Sequence, residues 1–282
     1  MTDKKDIALV LSSGGARGLA HIGAIEELEA QGYRIRSVAG CSMGALIGGI
    51  YAAGQLKNFR KWLKSVDKWT LMNMMDVSFS FNHLIKGDKM MDALKEIVPD
   101  VNIENLPIPF CAVSTDWELG KEIVFREGSL LDAIRASISL PGFLNPIRPD
   151  GRIFIDGGVT NPLPLNRVER HEGDLLVGVD VSGHDYEGQR QAQLKIASRN
   201  RRSFNPLKRM VPNSRTPNYI TLLTRASSLM IRQNSKLMIE LTKPDILIDI
   251  QMNRLSGMDY DKSERLIIIG RNRTRQTLAQ RK

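Results

Sequence analysis

Short runs of apolar and β-branched residues recur along the chain, each followed by a stretch with helical spacing. This alternation limits the fold more than any other feature. "DIALVLSS" (6–13) reads as a strand and "RGLAHIGAIEELEAQG" (17–32) as a helix, with Leu19, Ile22, Ile25 and Leu28 on one side and Gly32 as its stop. "YRIRSVAG" (33–40) and "MGALIGGIYAAG" (43–54) repeat the pair. After a less regular stretch come strands at "IPFCAVSTD", "GRIFIDGG", "DLLVGVDVSG" and "DILIDIQ". Helical patterns lie at "GSLLDAIRASIS", "TLLTRASSLMIRQNSKLMIEL" and from about Asp261 onward. Such alternation implies an α/β fold, a mainly parallel sheet with helices on both faces. Reactive groups in such sheets gather at the carboxyl ends of strands.

Without internal repeats, 282 residues suit one large domain, 1–282. Two stretches break the rhythm. Residues 66–87 are rich in Met and aromatics, and read either as the wall or lid of an apolar binding site, or as core under a long loop. Residues 184–218 are polar and basic with Pro206, Pro212 and Pro217, and by composition read as a loop or partly disordered insertion.

The net charge is +9, and its distribution is uneven. Eight basic side chains face only Glu187 over 187–217, and seven face only Glu264 over 262–282. These segments read as solvated surface or as contacts to an anionic membrane surface. No zinc-finger spacing, helix-turn-helix pattern or aromatic RNA-binding motif accompanies them, so nucleic acid is not expected as a partner. Two cysteines, Cys41 and Cys111, make no disulfide framework. No signal-peptide pattern and no run of about 18 apolar residues is present, so the expectation is a cytoplasmic protein, at most peripheral at the inner membrane face.

"VAGCSMGAL" (38–46) sets Ser42 between Gly40 and Gly44, after a strand and before a helix. That is the context of a nucleophile elbow, although a plain glycine-rich turn has the same pattern. Gly48 and Gly49 are costly in an exposed helix and imply close packing of this helix on the sheet. "SSGGARG" (12–18) follows the first strand and exposes N–H groups at a helix start, as an oxyanion hole or a phosphate loop would. It lacks the Lys-Ser/Thr of a P-loop, and Ser13 interrupts a dinucleotide fingerprint. A base for Ser42 is harder to find. His21 lies in the first helix, His83 in the irregular stretch, and His171 and His184 in charged or basic surroundings. Asp156, ending the strand before Gly157 and Gly158, can take a serine proton directly if it lies within reach. As a lone motif it is also a common Asp-Gly turn.

"SSGGARG", "GCSMG" and "DGG", in this order, together resemble the patatin-like phospholipases, above all small bacterial members related to neuropathy target esterase. The blocks at 114–128, 133–147 and 244–250 are similar too. The resemblance implies a three-layer α/β/α fold and a Ser-Asp dyad, with Ser42 as nucleophile and Asp156 as base and then acid. It implies an oxyanion hole from Gly14, Gly15, Ala16 and the N–H of Met43, an acyl-lipid substrate, and neither metal nor cofactor. Arg17 and Gly18 match the family's Arg-Gly. Ser13 stands where the family has glycine, and its N–H is expected to remain available. The competing expectations are a lipid-binding or regulatory protein with a silent dyad, and a nucleotide-binding protein using 12–18 as its loop.

Overall fold

The computed structural model describes residues 5–66, 70, 88–99, 101–141, 144–147, 151–183, 194, 219–252, 255 and 259–281. The stretch 66–87, apart from Val66 and Thr70, and the stretch 184–218, apart from Leu194, lie outside these residues, with His83 and His184.

Among the described residues seven strands form one sheet: β1 Lys5–Leu11, β2 Tyr33–Cys41, β3 Phe110–Asp116, β4 Lys121–Phe125, β5 Phe154–Asp156, β6 Leu175–Asp180 and β7 Ile246–Asp249. The order is β4-β3-β2-β1-β6-β7. β2, β1, β6 and β7 run parallel to one another, as does β3 beside β2, whereas β4 and β5 run antiparallel to β3. The expected mainly parallel sheet is thus present, with a mixed edge.

β1 is buried on both faces, as a central parallel strand must be. Its Ile7, Leu9 and Leu11 face the larger core, built with α1 Ala20–Ala30, α2 Met43–Ala52, α5 Leu130–Ser137 and α7 Ser263–Ala279. Val10 faces a smaller cluster with Ala39, Cys111, Leu163, Leu165 and Leu176, which Met238 and Ile239 of α6 Tyr219–Thr242 cover. α2 packs as its glycines imply: a Cβ on Gly48 would lie 2.9 Å from Val38 Cγ1, and one on Gly49 3.0 Å from the methyls of Ile134 and Leu130. Two helices fall in the stretch that shows no clear sequence rhythm, α3 Leu56–Ser65 and α4 Asp88–Ile97. α3 buries Leu56, Phe59 and Leu63 on one side.

One detail of the sheet positions the site. β2 pairs with β3 only as far as Cys41 opposite Val113. From Ser114 onward β5 takes over that edge, with Asp156 opposite Ser114 and Phe154 opposite Asp116. Because β5 runs antiparallel to β3, the carboxyl ends of β2 and β5 meet head to head.

Candidate active site

The turn from β2 into α2 forces Ser42 into φ 54°, ψ −122°, a conformation L-residues seldom adopt. Its surroundings hold it there. The Ser42 N–H donates to Ser137 Oγ at 2.8 Å, and Ser137 Oγ–H donates to the Val113 carbonyl at 2.6 Å. The Ser42 carbonyl accepts the N–H of Leu46 and starts α2. No side chain fits on either flank: a Cβ on Gly40 would lie 2.4 Å from the Gly44 carbonyl, and one on Gly44 2.2 Å from the Leu11 carbonyl. The helix therefore crosses directly over the ends of β1 and β2, and the hydroxyl stands at the sheet's carboxyl edge.

The head-to-head strand ends bring Asp156 to it. Ser42 Oγ donates to Asp156 Oδ2 at 2.5 Å. Asp156 Oδ1 accepts the Gly158 N–H at 2.7 Å. Its own N–H donates to the Ser139 carbonyl, and its carbonyl accepts from Thr115 Oγ1. Gly157 opens a short 3-10 turn, Gly157–Val159, against the end of β3. Asp156 is 2% exposed. Burial pushes its pKa up to about 6, against the smaller lowering effects of the hydrogen bonds from Ser42 and Gly158. A carboxylate of this kind is a stronger base than a solvated one and is still mostly ionised at neutral pH.

The 12–18 loop lies beside this pair. Gly14 precedes the 3-10 helix Gly15–Leu19, whose first N–H groups, with Ala16 among them, have no preceding carbonyl within the helix. Gly18 sits against Met43, the first residue of α2, so the two helix starts adjoin. Arg17 Nε donates back to the Gly14 carbonyl at 3.3 Å and ties the loop into its curve. Ser13 differs from expectation. Its N–H donates to the Pro162 carbonyl at 2.8 Å, so it is occupied. Its side chain fills the space toward Gly158, with Oγ 3.4 Å from where a Cβ on that glycine would be. Ser13 therefore braces the loop against the turn that follows Asp156.

The histidines stand elsewhere. His21 is fully buried, its Nε2 bonded to the Ser12 carbonyl at 2.9 Å, and burial lowers its pKa to about 4. It is a neutral strut under the loop. His171 precedes β6, near Asp6 at the start of β1, and so lies at the opposite, amino edge of the sheet. Its ring faces Asp174 and Glu169. Cys41 is buried, and desolvation, with Asp156 and Glu122 nearby, pushes its thiol well above the usual range. Sequence reasoning assigned no part to Ser137, Ser139, Thr115 or Pro162. The three hydroxyl residues gave a faint signal, polar side chains at positions where an apolar helix end or strand interior needs none, and Pro162, which acts through its carbonyl, gave no signal.

Several known proteins resemble this chain. An uncharacterized NTE family protein of Mycobacterium tuberculosis is 43% identical over 192 residues, which are 68% of this chain and 53% of the relative. Neuropathy target esterase sws of Drosophila melanogaster is 31% identical over 186 residues, 64% of this chain and 13% of the fly protein. Patatin-like phospholipase domain-containing protein 6 of Homo sapiens is 34% identical over 186 residues, with 64% and 14% covered. The chain thus spans about half the length of the mycobacterial relative and about a seventh of the human one. The solved structure of VipD from Legionella pneumophila aligns over 99% of this chain and 67% of VipD, with a TM-score of 0.48 and 15% identity. The patatin-like phospholipase profile matches residues 9–168, from within β1 to beyond the Asp-Gly-Gly turn. That match takes in more than half of the chain and all three glycine-bearing motifs, and the chain belongs to the patatin-like phospholipase family.

Proposed function

We propose that the protein is a serine hydrolase of acyl-lipid esters, with phospholipids or lysophospholipids as substrates and Ser42 and Asp156 as the reacting pair. The observation that carries this reading is the 2.5 Å hydrogen bond from Ser42 Oγ to a buried carboxylate of raised basicity. Ser42 Oγ attacks the ester carbonyl carbon as its proton passes to Asp156 Oδ2. The carbonyl π electrons move onto oxygen, and the oxyanion is held by N–H groups of the Gly14-Gly15-Ala16 loop and of Met43. The tetrahedral intermediate collapses, the C–O bond to the alcohol breaks, and Asp156 returns the proton to the leaving oxygen. Water, deprotonated by Asp156, then cleaves the acyl-enzyme and releases the fatty acid. Two adjoining helix N-termini favour the negative charge that develops there. The family's name and the name of the human relative agree with this reading.

The test is chemical and mutational. A fluorophosphonate is expected to label Ser42 and no other residue. Ser42→Ala and Asp156→Asn are each expected to lose nearly all turnover of a nitrophenyl ester, and His171→Ala to keep it within a small factor. An inactive, folded His171→Ala beside an active Asp156→Asn would restore an ordinary histidine triad.

A further inference from the structure

α6 carries large apolar side chains on its outward side as well as on the side that meets the core. At 100° per residue, Tyr219, Leu222, Leu223, Leu229, Met230 and Leu237 fall in one stripe about 120° wide. That stripe points outward: Leu223 is 51% exposed and Met230 67% exposed. The opposite side, which meets the protein, carries Ser235 and Thr242 beside Met238 and Ile239. Scattered exposed leucines are ordinary, but six large apolar side chains in one sector, broken by Gln233 and Glu240 only in the C-terminal half, mark a docking surface.

The helix also overreaches the sheet. Its 24 residues span about 36 Å, whereas the six residues of β6 span about 20 Å. Its C-terminal turns are anchored by Ser235, Met238 and Ile239, and it leads into β7 at the amino edge of the sheet. It therefore runs back along the strands, touches Gly157–Val159, and extends past the carboxyl edge where Ser42 stands. Every described side chain from Tyr219 to Met230 is exposed. Trp117 and Leu119, 61% and 64% exposed, project from the β3–β4 turn at the same edge.

We propose that the outward face of α6 docks on the surface of an anionic lipid bilayer and holds the Ser42–Asp156 edge against it. Charge argues for lipid. Arg225 and Lys236 border one side of the stripe, Lys236 beside Glu240, and the sequence leading into the helix carries eight basic residues against one acid over 187–217. An apolar stripe bordered by basic residues is the pattern of a helix that lies in a membrane interface. Position argues the same way. A second copy seated on this face would stand across the edge where an acyl chain must enter, whereas a bilayer there presents acyl chains to it. What the docking serves rests on the proposed ester chemistry; the binding itself is read without turnover.

The experiment uses full-length protein carrying Ser42→Ala, so that vesicle lipid is not consumed. Partitioning is measured by co-sedimentation with vesicles of phosphatidylcholine and phosphatidylglycerol, and with phosphatidylcholine alone. The triple variant Leu222→Gln/Leu223→Gln/Met230→Gln keeps good helix formers and is expected to lower partitioning by about tenfold or more. Partitioning onto the anionic vesicles is expected to exceed that onto the neutral ones. A second readout guards against a folding defect. Both native cysteines are buried, so Met230→Cys takes a polarity-sensitive fluorophore selectively; its emission is expected to shift to the blue when vesicles are added. Unchanged partitioning of the triple variant, or no shift at position 230, overturns the proposal. So does a dimer that dissociates in the triple variant while vesicle binding persists, which assigns the face to a second copy.

Discussion

The raised pKa of Asp156 has consequences in two directions. With Asp156 as the proposed base, turnover of a non-ionising ester requires its carboxylate, so kcat/KM is expected to be flat above about pH 6 and to fall about tenfold per pH unit below it. A rate profile that stays flat to pH 4.5 would contradict the assignment. Burial that raises a carboxyl pKa in the fold makes its charged form a cost to stability. That cost is absent well below the unfolded value of 3.8, grows as pH rises toward about 6, and is then constant at about 3 kcal/mol. Asp156→Asn removes it while still accepting from Gly158, so its melting temperature at neutral pH is expected to equal or exceed that of the wild type. Ser137 acts at one remove. Without its hydroxyl the Ser42 N–H loses its partner at a strained residue. Ser137→Ala is expected to lower kcat about tenfold to a hundredfold with KM little changed, and Ser137→Thr to recover part of the loss.

Among the elements, those with a strong rhythm were legible from sequence. β1, α1, β2 and α2 could be read because each buries a continuous face or an entire strand. The pairing of Ser42 with Asp156 was not legible from spacing. It depends on β5 replacing β2 along β3, a tertiary event with no local signature. β4 escaped notice because none of its five residues is fully buried, so Ile123, Val124 and Phe125 follow one another without alternation. α3 carried a readable pattern in Leu56, Phe59 and Leu63, but too short a one to stand apart from the Met-rich stretch after it. α7 shows the limit of composition. Its basic residues were read as solvated surface or as a membrane contact, and three of them make bonds within the fold: Arg271 bonds Glu26, Arg275 grips Glu27 with two bonds of 2.9 Å, and Arg273 holds the Asp249 carbonyl. They fasten α7 to α1 and β7. The two helices touch backbone to backbone, since a Cβ on Gly270 would lie 2.0 Å from the Ala20 carbonyl. Gly270→Ala is expected to destabilise the fold by about 1–3 kcal/mol, read as a lower thermal midpoint with esterase activity intact below it.

For the whole molecule, the matched region and the folding unit differ. Residues 9–168 hold every glycine-bearing motif, but β6 is the neighbour of β1 at the middle of the sheet, and α7 covers α1. A fragment ending at residue 168 leaves an open edge on β1 and an uncovered apolar helix. It is expected to be insoluble or to melt without cooperativity, as read by circular dichroism; a sharp transition in the fragment would count against this. Among the described residues no helix is long and apolar enough to cross a membrane.

The shared edge of β3 works as a ruler. Ser42 is one residue past a strand that ends opposite Val113, and Asp156 is the last residue of a strand that begins opposite Asp116. The gap between hydroxyl and carboxylate is therefore counted in whole residues along a third strand. A register slip of either strand along β3 changes it in steps of about 3.4 Å, and each step turns the side chain to the other face of the sheet. No gradual series of intermediates leads from this separation to a slightly longer one. Sequence drift can retune the basicity of Asp156 or the shape of the entrance smoothly, but the distance between the two groups is either kept or lost outright.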